Sequence, residues 1–179
     1  MTDNLQQVFS FVTDEHVRQK LILSADRIRR SFDEMFSGYQ LKAEDVLNDV
    51  VHVEEYTGVV RIDDINFYSV CEHHFAPFFG TVSVTYQPGT IITGLGKIVR
   101  LVRDVHGRRL QIQETMTRDI AIDIMRVLGA RGVRVVSRAR HLCMCSRGPK
   151  DDTAMTTVDY GCGTLTLSAL EVSNGGGQC

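Results

Sequence analysis

Val70-Cys71-Glu72-His73-His74-Phe75-Ala76-Pro77-Phe78-Phe79-Gly80 runs directly into Thr81-Val82-Ser83-Val84-Thr85-Tyr86, and this stretch decides the fold. Its second half alternates polar and apolar side chains and stops at the Gln87-Pro88-Gly89 turn, the pattern of a half-buried antiparallel strand. The residues before it, Val59-Val60-Arg61-Ile62 and Ile65–Val70, also read as strand. The Cys-His block is therefore a turn that interrupts strand. Cys71 and His74 stand three apart, so one turn can aim a thiolate and an imidazole at the same metal ion.

Two protein ligands do not complete a zinc site. The obvious donor of a third is His141-Leu142-Cys143-Met144-Cys145, toward which Val133–Arg140 alternates as another strand. If that strand continues, His141, Cys143 and Cys145 share one face. Two sulfurs, one nitrogen and an open position make a catalytic zinc site, because water can take the fourth place. Cys145 as a fourth ligand would instead close the sphere and make the metal structural. A Cys-x-x-His pair is weak evidence alone, since free Cys is often a small buried hydrophobe; the second cluster gives it weight. His73 sits beside the metal without being needed as a ligand, a natural position for proton transfer.

Working outward, Gly94-Leu95-Gly96-Lys97 opens a helix that runs to about His106 and is stopped by Gly107. A second helix, Gln111–Leu128, carries Ile112, Met116, Ile120, Ile124, Val127 and Leu128 on one face. Asp14 to Gly38 reads as two short helices broken near Leu23-Ser24, and 43–50 as another helical piece. Further strands are expected at 154–159 and 163–172. The order implies an α+β fold: an antiparallel sheet with two long helices on one face, preceded by N-terminal helices. We divide the chain into a helical region, 1–57, a catalytic domain, 58–172, and a flexible tail, 173–179.

The 179 residues suffice for one core, and 43% hydrophobic with 23% charged residues describes an ordinary globular protein. A net charge of -2 excludes nucleic-acid binding by bulk electrostatics, so any anion must be held by a local cluster. Five unevenly spread cysteines are no disulfide framework. With no leader pattern and no apolar run long enough for a bilayer, the expected location is the cytoplasm, away from membranes.

The remaining polar groups suggest the substrate. Lys97 and Arg100 lie near the start of a helix, where backbone N–H groups already favour anions, and Arg147 follows the second Cys cluster. Gln113-Glu114 opens the long helix; a carboxylate there can accept two hydrogen bonds from a guanine edge, or can simply serve the helix end. Arg27, Arg29 and Arg30 read on pattern alone as a solvated helix face. Activated water, paired histidines, cations for phosphate and a carboxylate for guanine together read as hydrolysis of a nucleotide base.

Over roughly residues 24–165 the chain resembles GTP cyclohydrolase I of the tunnelling-fold superfamily. The resemblance is carried by Cys71-Glu72-His73-His74, Gly94-Leu95-Gly96-Lys97 with Arg100, Gln111-Ile112-Gln113-Glu114, His141-Leu142-Cys143 with Arg147-Gly148, and Phe36-Ser37-Gly38-Tyr39. It implies the tunnelling fold, with a four-stranded antiparallel sheet and two helices per subunit. It also implies a homodecamer of two stacked pentamers with active sites between subunits. By the same resemblance, Cys71, His74 and Cys143 match the ligands of Zn2+, and His73 and His141 the proton-transfer histidines. Glu114, with Gln113 beside it, matches the guanine-recognition position. Lys97, Arg100 and Arg147 match triphosphate-binding cations, and Arg27 and Arg30 match cations supplied by a neighbouring subunit.

The implied reaction opens the imidazole ring of GTP at C8, releases formate and rearranges to 7,8-dihydroneopterin triphosphate. The chain departs from the family pattern at Gly96, where members usually carry Ser, and at Ser24-Ala25, where a Thr-Pro is usual; Cys145 is extra. A paralogue that makes a formamide or cyclic phosphate, and a non-catalytic zinc- and GTP-binding subunit, are the alternatives. Folate, biopterin and deazaguanine routes all begin with this product.

Overall fold

A computed structural model describes residues 10–54 and 56–167. The chain falls into two compact units that divide between Met35 and Phe36. The first holds two helices, α1 (Glu15–Leu23) and α2 (Ala25–Met35), broken at Ser24 as expected. Asp14 caps α1, its carboxylate accepting from the Val17 N–H at 3.1 Å. Ser24 closes α1, its N–H donating to the Lys20 carbonyl, and its own carbonyl accepts from Ile28 at 3.0 Å.

The division lies earlier than the 57/58 boundary read from the sequence, because residues just after Met35 are built into the second unit. The Gly38 N–H donates to the Arg108 carbonyl, the Tyr39 hydroxyl donates to the Leu110 carbonyl, and Ala43 and Leu47 are buried in the core. A short helix, α3 (Ala43–Val46), stops before Val50, since β1 (Val50–His52) pairs with β4 (Ile91–Thr93) in a small two-stranded sheet. The helix expected over 43–50 is thus shorter.

The main sheet contains β2 (Val60–Cys71), β3 (Pro77–Gln87), β6 (Gly132–His141) and β7 (Thr156–Gly163), all antiparallel in that spatial order. The two strands expected at 59–62 and 65–70 are one, joined by an irregularity between Ile62 and Ile65 where Asp64 adopts φ 56°. A fifth strand, β5 (Leu110–Gln111), runs parallel to the end of β2, with Gln111 opposite Cys71. That pairing delays the long helix, which the sequence begins at Gln111; α5 spans Gln113–Leu128 and follows an extended Ile112. Gly129, at φ 56°, ends it in the left-handed region that lacks a Cβ penalty. Of the strand expected at 163–172, residues 164–167 form no strand, and the remainder lies outside the described residues, as does the 173–179 tail.

Alternation sends Phe67, Phe78, Val82, Val84, Tyr86, Val133 and Val135 to one face of the sheet, where they are buried. Against it lie Met116, Ile120, Ile124 and Leu128 of α5, spaced to form one helical stripe. The same core takes Ile98 of α4 (Leu95–Arg100) and Leu101, Val102 and Val105 of the wider π-helical turn, Leu101–His106, that continues it. Gly80 allows β3 and β6 to pair closely: a Cβ there would sit 1.9 Å from the Arg138 carbonyl oxygen. Among the described residues, no helix is long and apolar enough to cross a membrane.

Candidate active site

Cys71 ends β2 and begins a tight turn. The Phe75 N–H donates to the Cys71 carbonyl at 2.8 Å and the Cys71 N–H to the Ala76 carbonyl at 2.9 Å, with Phe75 at φ 52°. The turn brings Cys71 Sγ within 3.8 Å of His74 Nδ1. The third group arrives from β6. That strand ends at His141, and Leu142–Cys145 forms a helical turn, α6, rather than the strand continuation expected to Cys145. The turn buries Cys143, and the ligand atoms of Cys71, His74 and Cys143 all lie within 4.8 Å of one another. Cys145 does not join this group.

This triad fits zinc. Ligands at typical Zn–S and Zn–N lengths of about 2.3 and 2.0 Å, set at tetrahedral angles, stand roughly 3.6 Å apart, close to the observed Cys71–His74 separation. Burial pushes the Cys143 thiol upward, and the neighbouring Cys71 thiol adds to this, while Arg147 opposes it. Two soft donors facing each other at a buried point suit a divalent cation.

His141 points elsewhere. Its Nε2 lies 2.8 Å from Gln113 Oε1, and its ring stacks parallel on Phe78 with centroids 4.7 Å apart. Burial pulls its pKa below the ordinary histidine value, against the raising influence of Glu114. His73 is exposed, its Nε2 4.0 Å from a Glu72 carboxylate oxygen. Glu114 is exposed at the start of α5. Gln113, paired with it in the sequence reading, is buried, and its side chain turns inward to Ser137, Thr156 and His141.

The cations are spread over several elements. Lys97 and Arg100 lie on α4, with Lys97 Nζ donating to Asn48 Oδ1 at 3.1 Å, and Arg147 is exposed just after α6. Arg27 and Arg30 are exposed on α2 in the first unit, where Arg30 Nε donates to the Asp26 carbonyl. A Cβ at Gly96 would meet nothing within 4 Å, so packing does not require glycine there.

The sequence reading missed what holds His141. Ser137 and Thr117 are fully buried beside Gln113. Ser137 breaks the inward row Val133, Val135, Ser137, Ala139, and Thr117 stands four residues after Gln113 on α5. A polar residue on an apolar strand face is the signal that marks such a site. In a second polar pair, buried His106 of the π-turn lies 3.0 Å from half-buried Asp123 of α5.

The family model for GTP cyclohydrolase I matches residues 1–170. GTP cyclohydrolase 1 of Wolinella succinogenes is 40% identical over 158 residues, 88% of this chain and 84% of its own length. The protein of the same description from Chlorobaculum tepidum is 40% identical over 168 residues, 94% of this chain and 75% of its own. Among solved structures, the apo crystal structure of an archaeosine synthase QueF-Like has a TM-score of 0.46 at 19% identity, over 59% of this chain and 93% of that one. On the match of family model and relatives over most of its length, this chain is an enzyme of the GTP cyclohydrolase I family.

Proposed function

We propose that the protein is a zinc-dependent GTP cyclohydrolase I that converts GTP to formate and 7,8-dihydroneopterin triphosphate. The observation that carries this reading is the convergence of Cys71, His74 and Cys143 two residues from His141, in a chain of this family. Cys71, His74 and Cys143 would hold the zinc ion, which when bound would supply a Lewis acid that brings the pKa of water toward neutrality.

The chain's own residues do the rest. Glu114 accepts from the guanine N1–H and exocyclic amine and so orients the base. Lys97, Arg100 and Arg147 bind the triphosphate, joined by Arg27 and Arg30 from a neighbouring subunit. His73 gives a proton to the purine nitrogen as C8 becomes tetrahedral and the ring opens to a formamide. A second water, with His141 moving its proton, releases formate. His141 then moves protons through opening and rearrangement of the ribose, and ring closure returns one water, so the net reaction consumes a single water.

The tunnelling fold and a homodecamer of two stacked pentamers belong to the same proposal, supported by family membership and by cations that lie on separate units of one chain. A cytoplasmic location is supported by thiols that must stay reduced to bind metal.

The test is direct. Purified protein loaded with zinc is incubated with GTP; formate is measured, and the product is identified by mass and by its fluorescence after oxidation. One equivalent of formate per dihydroneopterin triphosphate is expected, and activity should vanish on chelation. Intact GTP after hours with zinc-loaded protein would overturn the reading, and a formamide or cyclic phosphate as sole product would redirect it to an altered reaction.

A further inference from the structure

The hydrogen bonds around Gln113 fix the proton on His141. Gln113 Nε2 lies 3.2 Å from the Ser137 carbonyl oxygen, 3.2 Å from the Thr156 carbonyl oxygen and 2.9 Å from Ser137 Oγ. Backbone carbonyls can only accept, so the atom facing them must be the amide nitrogen; the reverse orientation would set three oxygens against one another. The Thr117 hydroxyl donates to the Gln113 backbone carbonyl at 2.7 Å, which leaves it to accept from Ser137 Oγ, also at 2.7 Å. Ser137 Oγ therefore accepts from Gln113. The two amide protons of Gln113 are shared among the Ser137 carbonyl, Ser137 Oγ and the Thr156 carbonyl, and all three of these oxygens accept.

It follows that Gln113 Oε1, 2.8 Å from His141 Nε2, is an acceptor, and that a neutral His141 must carry its proton on Nε2. Stacking on Phe78 at 4.7 Å and 0° holds the ring plane in that register. Among the described residues none hydrogen-bonds Nδ1. We propose that Gln113 is a positioning residue, whose locked amide holds His141 as the Nε2–H tautomer and leaves Nδ1 as the nitrogen that exchanges protons with the substrate. The inference rests on the reading of His141 as a proton-transfer group in GTP ring opening. It removes the Gln113 side chain from guanine recognition, which it leaves to Glu114 and to backbone groups.

The experiment reads the tautomer on the full, unmodified, zinc-loaded chain labelled with 15N-histidine, at a pH where histidines are neutral. His141 is assigned by the signals missing from His141→Ala. A pyrrole-type Nε2 and a pyridine-type Nδ1 are expected; the opposite tautomer or an even mixture overturns the inference, whether or not GTP is consumed. Gln113→Leu should convert the signal to a mixture. Its kcat should fall by less than the roughly hundred- to ten-thousandfold that removing a general acid–base group costs, with KM nearly unchanged. Thr117→Val, which spares both Gln113 and His141, should shift the tautomer less and serves if Gln113→Leu does not fold. A raised KM with kcat and tautomer unchanged would make Gln113 a substrate contact and overturn the proposal. An unmodified chain that releases no formate sinks the assigned reaction alone, because the tautomer is measured without turnover.

Discussion

Replacing His141 by Ala separates the metal from the proton shuttle, and the structure sets the size of each effect. Among the described residues the imidazole hydrogen-bonds Gln113 and stacks on Phe78, and its atoms do not belong to the Cys71–His74–Cys143 group. Losing the stack costs about 0.5–1.5 kcal/mol. Orphaning the buried side-chain oxygen of Gln113 costs about 1–3 kcal/mol more. A chain of this size loses roughly 2–4 °C of Tm per kcal/mol, so the variant should melt measurably earlier and still fold. General acid–base groups contribute about a hundred- to ten-thousandfold, or roughly 3–5 kcal/mol of transition-state stabilisation, and formate release should fall within that range. Zinc should stay stoichiometric by elemental analysis, and a formamide should accumulate by mass spectrometry, because the proposed mechanism assigns the first ring opening to His73. Loss of zinc would make His141 a ligand and displace His74 from that role. Turnover equal to the parent's would refute the shuttle.

Two further perturbations test the surroundings. Cys145→Ser should leave zinc content and turnover unchanged, since Cys145 stands outside the ligand group; loss of metal would mean a closed, structural site. Asp123→Asn tests the buried pair with His106. Burial raises the Asp123 pKa, but hydrogen bonds from His106 and Arg126 outweigh it and hold the carboxyl below its ordinary 3.8. A lowered folded-state pKa stabilises the protein fully above the unfolded value and is lost as pH falls through the folded one. The Tm difference between parent and variant should therefore be constant from neutrality to about pH 5 and shrink below about pH 4; a difference that widens in acid would contradict the assignment.

What the sequence made legible was what burial periodicity writes locally. Thr81–Tyr86 and Val133–Arg140 alternate because one face of each strand meets the core, and Met116, Ile120 and Ile124 recur by fours because one stripe of α5 covers them. Cys71 and His74 were legible as a pair by ligand type and spacing, and the cluster that supplies the third donor by ligand type; Cys143 within that cluster came from the family resemblance. Short pairings were not: β1 with β4 and β5 with β2 involve two or three residues each, and tertiary partners decide them rather than propensity. The π-helical turn after α4 and the buried His106–Asp123 pair are equally products of packing. The burial of Gln113 was not legible, because a glutamine beside a glutamate at a helix start looks like surface. Its burial depends on Ser137, 24 residues away.

The least legible feature, the helical turn after β6, is the one that makes the site workable. Had the strand continued, Cys143 would lie about 6.7 Å beyond His141 along the same face, and both side chains would enter one cavity together. In a helical turn two residues advance only about 3 Å and their side chains diverge by roughly 200°. His141 can then remain on the strand face, bonded to Gln113 and flat against Phe78, while Cys143 swings to the turn that carries Cys71 and His74. His141 and Cys143 are thereby two residues apart in sequence yet held by different partners. A substitution in the Gln113–Ser137–Thr117 network should alter the histidine without dislodging the metal, and a substitution of Cys143 should release the metal while the histidine keeps its tautomer.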